Sequence, residues 1–140
     1  MPYPEPMVAP MRAEVVQMGV TELKTADDVR QSFENAEGTA LYFINSVCGC
    51  AAGSARPGLG QSLGGEARPD HLYTVFAGQD TEATAALREK IVGVPPSSPF
   101  FALFKDGDLA GVVERHQIQG LSAEQLGSGL AEMYGQLAAL

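Results

Sequence analysis

The chain has 140 residues, of which 45% are hydrophobic and 19% charged, a composition typical of a globular protein with one hydrophobic core. Its formal net charge of −8 disfavours contact with nucleic-acid phosphates and with anionic membranes, so we expect neither as a partner. No apolar run approaches the roughly 20 residues that cross a bilayer. The N-terminal segment lacks the basic and apolar regions of a signal peptide, so we expect a cytoplasmic protein.

The first half of the chain is predicted to alternate helices with short strands. Its elements in chain order are a proline-rich irregular arm over residues 1–10, a helix over about 9–18, an edge strand over 20–23, a helix that Thr25 caps and Gly38 ends, and a strand over 39–45. Thr25 and Asp28 have the spacing of a capping box. The segment 39–45 is apolar and rich in strand formers, which predicts a buried central strand.

The second half predicts further alternation and then a hairpin. Its elements are a helix from Cys50 to about residue 63, a strand over 71–77, a helix that Asp80 caps and that ends near residue 90, a constrained loop over 94–99, strands over 100–105 and 109–115 joined at Asp106-Gly107, and a last helix. Pro57, Gly58 and Gly60 disfavour the interior of the first of these helices, which is expected to kink at Pro57. Ser122 and Gln125 form a capping box for the last helix. This order predicts one α/β domain over residues 1–140, with a central mixed sheet flanked by helices in three layers.

Two cysteines follow the predicted central strand in the motif Cys48-Gly49-Cys50. A helix N-terminus favours a thiolate, which is the attacking species in disulfide exchange, so Cys48 is a candidate nucleophile. A disulfide between Cys48 and Cys50 would close a tight ring, and we expect Gly49 to relieve part of the strain. A strained disulfide is more easily reduced, which favours exchange or isomerisation over strong reduction.

The same spacing fits two other interpretations. Two buried thiols can pack as small hydrophobic groups, and two thiolates can form half of a metal site. A closed zinc site needs four donors, and besides the cysteines only His71 and His116 are soft candidates unless two chains share the metal. A thiolate module that binds or delivers metal therefore remains the alternative, and no resident metal or cofactor is expected.

Residues near the cysteines in sequence, or before the hairpin, are candidates for supporting roles. Pro99 after Ser98 either forms a cis peptide bond that faces the thiols or stiffens a loop. Asn45 and Ser46 either bind substrate or form a turn. Arg56 either orients an anionic small thiol or supports the thiolate, unless it is a surface or helix-end arginine.

Several segments together resemble the bacilliredoxin family in order and over most of the chain. They are Asn45–Pro57, Thr74–Asp80, Pro96–Pro99, Lys105–Gly107, and Arg115-His116 with Gly120. The resemblance implies a thioredoxin-like fold in which the usual Cys-x-x-Cys is shortened to Cys-x-Cys. It also implies a thiol–disulfide oxidoreductase that reduces mixed disulfides between proteins and the small thiol bacillithiol and has disulfide isomerase-like activity.

The family resemblance also implies roles for individual residues. Cys48 would be the nucleophile, Cys50 the resolving thiol, and Pro99 the cis proline opposite Cys48. The expected partners are S-thiolated or disulfide-bonded proteins, with bacillithiol as a thiol co-substrate. The oligomeric state stays open.

Overall fold

A computed structural model describes residues 2–34 and 36–140, which form a five-stranded mixed sheet with helices on both faces. The strands are β1 (Thr21–Glu22), β2 (Thr39–Asn45), β3 (His71–Phe76), β4 (Phe100–Lys105) and β5 (Asp108–Val113). The helices are α1 (Glu5–Val16), α2 (Ala26–Glu34), α3 (Arg56–Ser62), α4 (Thr81–Arg88), α5 (Arg115–Gln119) and α6 (Ala123–Ala138). A π-helical turn (Ala51–Ala55) precedes α3. The predicted α/β architecture with a central mixed sheet is confirmed.

Strand β2 lies at the centre of the sheet order β1-β3-β2-β4-β5, parallel to β3 and antiparallel to β4. Because side chains alternate along a strand, β2 supplies both halves of the core. Leu41 and Phe43 pack with the π-helical turn, α3 and α6, whereas Tyr42 and Ile44 pack with α2 and α4. The two apolar faces of this one strand therefore explain why the molecule has three layers.

The register of the sheet brings three loops to the same end of its central strands. Ile44, near the end of β2, pairs with Phe100 at the start of β4. Phe101 in turn pairs with Val113 at the end of β5. Three segments therefore lie at this end of the sheet: the one after β2, the one before β4 and the one after β5. These segments carry the cysteines, the Ser98-Pro99 pair and α5.

Helix α1 corrects the expectation of an irregular arm over residues 1–10. The helix begins at Glu5, well before the predicted start near residue 9. Pro6 lies in the first helical turn, where no backbone donor is needed, and Pro10 costs the helix one backbone hydrogen bond. Val8 and Val15 are fully buried against the rest of the protein. Burial of one face thus maintains a helix that the proline content alone disfavours.

Arg12 joins α1 to the edge of the sheet and to the start of α4. Its guanidinium is 2.7 Å from Asp80 Oδ2, 2.9 Å from Glu22 Oε2 and 2.7 Å from Glu5 Oε1. It also lies 5.4 Å from the centre of the Phe76 ring. Asp80 occupies the N-cap position of α4 but makes no side-chain capping bond. The predicted N-cap position of Asp80 is therefore confirmed, but its carboxylate binds Arg12 instead of a backbone N–H of the helix.

The two predicted capping boxes are confirmed. Thr25 Oγ1 accepts from the backbone of Asp28 at 3.0 Å, and Asp28 Oδ2 accepts from the backbone of Thr25 at 3.2 Å. Ser122 Oγ accepts from the backbone of Gln125 at 3.1 Å, and Gln125 Oε1 accepts from the backbone of Ser122 at 2.9 Å. These side chains begin α2 and α6 at the residues that the sequence pattern indicated.

The helix after the cysteines is held by contact with α6. Pro57 lies in the first turn of α3, where proline is tolerated, and a π-helical turn rather than a proline kink precedes it. A Cβ on Gly58 would lie 2.9 Å from Leu126 and 3.1 Å from the carbonyl oxygen of Ala123. Glycine at this position lets the two helices approach closely, so the glycine content of α3 serves packing rather than helix propensity.

The ends of α2 and β5 differ from the prediction. Helix α2 (Ala26–Glu34) does not extend to Gly38, which has φ +78° and lies in the turn before β2. Strand β5 ends at Val113, because the chain turns into α5, which the sequence did not predict. Helix α5 is short and has a single buried residue, Ile118, too weak a pattern to recognise. In the part of the chain that the structure describes, every helix is too short or too polar to cross a bilayer.

Candidate functional site

The two cysteines lie together beyond the end of β2. Both are free and partly buried, and their Sγ atoms are 2.9 Å apart. The backbone N–H of Cys48 donates to Ser46 Oγ at 3.0 Å, which fixes the start of the loop. The chain turns into helix at Gly49 and Cys50, and the backbone N–H groups of Cys50 and Ala51 lie near the first thiol, the latter also donating to the Cys48 carbonyl oxygen at 2.9 Å. The expected position at a strand–helix junction is confirmed.

The two thiols have opposite pKa shifts. The pKa of Cys48 is lowered, chiefly by the hydrogen bond from the Cys50 thiol, while partial burial opposes the shift. Backbone N–H groups of Cys50 and Ala51 and the charge of Arg115 lower it further. The pKa of Cys50 is raised, first by burial and then by its bond to Cys48. These directions favour the thiolate at Cys48 and the S–H donor at Cys50, an arrangement that suits a nucleophile beside a resolving thiol.

Arg56 lies beneath this loop and is only 3% exposed. Its guanidinium donates to Asn45 Oδ1 at 3.0 Å, to the carbonyl oxygen of Ser46 at 2.9 Å and to Glu14 Oε2 at 3.1 Å. Arg56 is the first residue of α3, so it lies at a helix end as predicted, but the interpretation of it as a surface arginine is wrong because it is buried. Its contacts hold the two residues that precede the cysteine loop, and through Ser46 they reach the backbone of Cys48.

Asn45 is also buried, and both the oxygen and the nitrogen of its side-chain amide make hydrogen bonds. Its Oδ1 accepts from Arg56 and, at 2.9 Å, from the backbone N–H of Ser46. Its Nδ2 donates to the carbonyl oxygen of Met11 in α1 at 3.2 Å. Because Asn45 is 1% exposed and these bonds hold its side chain against α1, Arg56 and Ser46, they favour the turn interpretation of Asn45 over the binding interpretation.

The Ser98–Pro99 peptide bond is cis, as the family resemblance implies. Pro99 is buried and Ser98 is partly exposed. Two arginines hold the preceding residue, Ser97. Arg88 Nη1 donates to its carbonyl oxygen at 3.2 Å, and the backbone N–H of Arg115 donates to its hydroxyl at 3.3 Å. The loop is thereby tied to α4 on one side and to α5 on the other.

Arg115 was not predicted as a site residue. It is the first residue of α5, which packs against the π-helical turn after Cys50. Its positive charge contributes to the lowered pKa of Cys48 and offsets part of the rise in the pKa of Cys50. The predicted hairpin could have indicated this position, because the second strand of a hairpin ends beside the start of the first. That rule places the residues after Val113 beside the proline loop.

Gly49 and the metal alternative receive less support. Gly49 is exposed and its backbone is helical while both thiols are free, so its role in closing a disulfide stays a prediction. Within residues 2–34 and 36–140, no group of three His, Cys, Asp or Glu side chains is positioned to bind a metal ion. A metal at Cys48 and Cys50 would therefore need donors from outside these residues.

Sequence comparison identifies close relatives. Residues 3–138 match the model of a family described as disulphide isomerase. The chain is 53% identical over 136 residues to a bacilliredoxin of Salinibacter ruber, covering 96% of this chain and 80% of that protein. It is 51% identical over 135 residues to a bacilliredoxin of Cytophaga hutchinsonii, covering 96% of this chain and 99% of that protein.

Comparison with solved structures identifies the fold. Oxidized mitochondrial thioredoxin 3 of Saccharomyces cerevisiae matches with a TM-score of 0.56 and 19% identity over 85% of this chain and 96% of that one. Oxidized thioredoxin O1 of Arabidopsis thaliana matches with a TM-score of 0.58 and 15% identity over 85% and 97%. The thioredoxin-like fold is thus confirmed. Because the chain is about half identical to these bacilliredoxins over nearly its full length and matches the family model over residues 3–138, it belongs to the bacilliredoxin family of thiol–disulfide oxidoreductases.

Proposed function

We propose that this protein removes bacillithiol from mixed disulfides with proteins, and rearranges protein disulfides, through Cys48 and Cys50. The observation that carries the proposal is the thiol pair with Sγ atoms 2.9 Å apart and opposite pKa shifts. A lowered pKa gives Cys48 a larger thiolate fraction, and a raised pKa keeps Cys50 protonated until it is needed. The names of the relatives point to the same small thiol.

In the first step, the Cys48 thiolate attacks the bacillithiol sulfur of a protein mixed disulfide. A bond forms between Cys48 Sγ and that sulfur, the original disulfide bond breaks, and the electron pair leaves with the protein sulfur. The protein thiolate takes up a proton from water. Attack on a disulfide between two protein cysteines follows the same course and leaves a protein–Cys48 mixed disulfide, which is the first step of isomerisation.

In the second step, Cys50 loses its proton and attacks Cys48 Sγ. A Cys48–Cys50 disulfide forms and bacillithiol leaves as a thiolate. A second small-thiol molecule can instead attack the bacillithiol sulfur held on Cys48, giving the symmetrical small-thiol disulfide and regenerating the Cys48 thiolate. Both routes require Cys48 to be reduced at the outset, so we place the protein in a reducing compartment, the cytoplasm.

Variants of the two cysteines test the assignment. The substrate is a carrier protein with one cysteine blocked by bacillithiol, and the measurement is release of the carrier thiol. We expect the wild-type protein to release it, Cys48→Ser to be inactive, and Cys50→Ser to complete one attack and retain bacillithiol on Cys48, detected by intact mass. Release by Cys48→Ser at the wild-type rate would show that another group is the nucleophile.

The pH dependence of Cys48 alkylation tests the electrostatic part. Because the folded protein lowers the Cys48 pKa, its reaction with iodoacetamide should persist below the ordinary value of 9.0 and decline as pH falls through the lowered pKa. Cys50→Ala removes the largest cause of that shift, so the midpoint of the profile should move upward. An unchanged midpoint in Cys50→Ala would contradict the hydrogen-bond explanation.

A further inference from the structure

Arg115 lies where three parts of the site meet. Strand β5 ends at Val113, at the same edge of the sheet as the segment that carries the cysteines. The backbone N–H of Arg115 then donates to Ser97 Oγ at 3.3 Å, one residue before the cis Ser98–Pro99 pair. Helix α5, which Arg115 begins, packs against the π-helical turn that follows Cys50. The backbone of Arg115 is therefore fixed beside the proline loop and the thiols.

The side chain of Arg115 is exposed and has no protein carboxylate to neutralise it. Among residues 2–34 and 36–140, no Asp or Glu oxygen lies within 4.0 Å of its guanidinium. Arg12, Arg30 and Arg56 each have such a partner. Arg68 and Arg88 also lack a carboxylate partner, but their guanidiniums donate to the carbonyl oxygens of Leu63 at 3.4 Å and Ser97 at 3.2 Å. The Arg115 side chain makes no hydrogen bond within the part of the chain that the structure describes, so its guanidinium is available to a ligand.

We propose that Arg115 binds a carboxylate group on the small-thiol half of the mixed disulfide that Cys48 attacks. This inference rests on the proposed function and specifies its substrate class as adducts of carboxylate-bearing thiols. A guanidinium presents a planar pair of N–H donors that matches a carboxylate and forms charge-assisted hydrogen bonds. Arg56, the arginine nearest the cysteines in sequence, does not fit this role, because it is buried and hydrogen-bonded to Glu14, Asn45 and Ser46.

The position of Arg115 also gives it a second effect, which any test must separate from binding. Its charge favours the Cys48 thiolate, and that effect accelerates attack on every disulfide regardless of what the small thiol carries. Binding of a carboxylate, in contrast, accelerates attack on anionic adducts alone. The dependence on adduct charge therefore distinguishes the two effects, whereas overall activity does not.

The test uses three adducts of similar size on one single-cysteine carrier protein. They are mixed disulfides with 3-mercaptopropionate, which is anionic, 2-mercaptoethanol, which is neutral, and cysteamine, which is cationic. The measurement is the second-order rate constant for release of the carrier thiol by pre-reduced wild-type protein, Arg115→Gln and Arg115→Lys. For each adduct the ratio of wild-type to variant rate is taken, so that differences in intrinsic reactivity between the disulfides cancel.

We expect Arg115→Gln to lose about tenfold more rate on the anionic adduct than on the neutral one, and less on the cationic adduct than on the neutral one. Arg115→Lys keeps the positive charge without the planar pair of N–H donors, so its loss of rate on the anionic adduct should be smaller than that of Arg115→Gln. Raising the salt concentration should slow the wild-type protein selectively on the anionic adduct, a readout that needs no variant. Arg30→Gln is the matched control: it removes an exposed guanidinium from α2, and it should leave all three rates unchanged.

An equal loss on all three adducts, or no loss on any, would overturn the assignment while the proposed function stands. If the wild-type protein releases the carrier thiol from none of the adducts, nor from the bacillithiol adduct, the proposed function fails and the assignment of Arg115 fails with it.

Discussion

Within residues 2–34 and 36–140, two buried arginines have carboxylate partners and are compensated in different ways: Arg12 belongs to α1, and Arg56 binds Glu14 of the same helix. Arg12 is surrounded by the carboxylates of Glu5, Glu22 and Asp80. Arg56 has one carboxylate, Glu14, and otherwise donates to neutral oxygens of the segment before the cysteines. The first network joins elements of the scaffold, whereas the second holds the loop that carries the chemistry.

The difference lies in what each arginine leaves behind when it is removed. Without Arg12, the side chains of Asp80 and Glu22, 13% and 24% exposed, would keep negative charges close together with no cation between them. Without Arg56, an amide oxygen and a carbonyl oxygen would lose donors, but no buried charge would be created. A charged network should therefore matter most for stability, and a network of neutral groups most for the geometry of the loop.

The largest expected effect on stability is that of Arg12→Met. It should lower the free energy of unfolding by about 3 kcal/mol, because it leaves partly buried carboxylates uncompensated. Urea denaturation measures the loss. The alkylation profile of Cys48 should stay unchanged, because Arg12 makes no contact with the cysteine loop. A shifted Cys48 profile in this variant would contradict the separation of the two networks.

Acid provides the control for Arg12→Met. The hydrogen bond with Arg12 is the main cause of the lowered pKa of Glu5, followed by a bond from Gln79. A carboxylate with a lowered pKa stabilises the folded protein above its ordinary value of 4.5, and this contribution is lost as pH falls through the lowered pKa. The difference in stability between the wild-type protein and Arg12→Met should therefore shrink as the pH falls below 4.5.

Arg56→Met should have a smaller effect on stability and a larger one on chemistry. We expect a loss of about 2 kcal/mol in unfolding free energy, because neutral buried acceptors lose their donors. Displacement of the loop should slow thiol release from a mixed disulfide by about tenfold or more. The Cys48 alkylation profile should shift with it, and Arg56→Lys should restore part of both. A variant that loses stability with an unchanged profile would show that Arg56 serves the scaffold alone.

Glu14→Gln should have the smallest effect. Glu14 is 44% exposed, so its ion pair with Arg56 is partly screened by water and should contribute less than about 1 kcal/mol to stability. Activity should stay close to that of the wild-type protein, because Asn45 and the Ser46 carbonyl still orient Arg56. A loss as large as that of Arg56→Met would mean that the carboxylate, rather than the neutral oxygens, sets the loop geometry.

These networks also mark the limit of what the sequence could predict. The boundaries of β2, the hairpin turn and the capping boxes follow from residues that are close in the chain, and all were predicted correctly. Cys48 and Cys50 were identified in the same way. Arg12 binds Asp80 from 68 residues away, and no local pattern distinguishes that aspartate from an ordinary N-cap.

Arg56 and Arg115 illustrate the same limit within the site. Arg56 is close to the cysteines in sequence, so it was the natural candidate for contact with a small thiol, yet the fold turns it inward. Arg115 is distant in sequence, and only the antiparallel return of β5 brings it back to the thiols. The sequence thus identified the cysteine pair but not the exposed arginine that the fold brings near it.

The close approach of α3 and α6 has a consequence for protein synthesis. With Pro57, Gly58 and Gly60, α3 has little helical stability of its own, and it depends on the Gly58 and Gly127 contact with α6. Helix α6 follows α3 in the chain, so during synthesis the segment after the cysteines can complete its folded form only once residues 123–138 have been made and can pack against it.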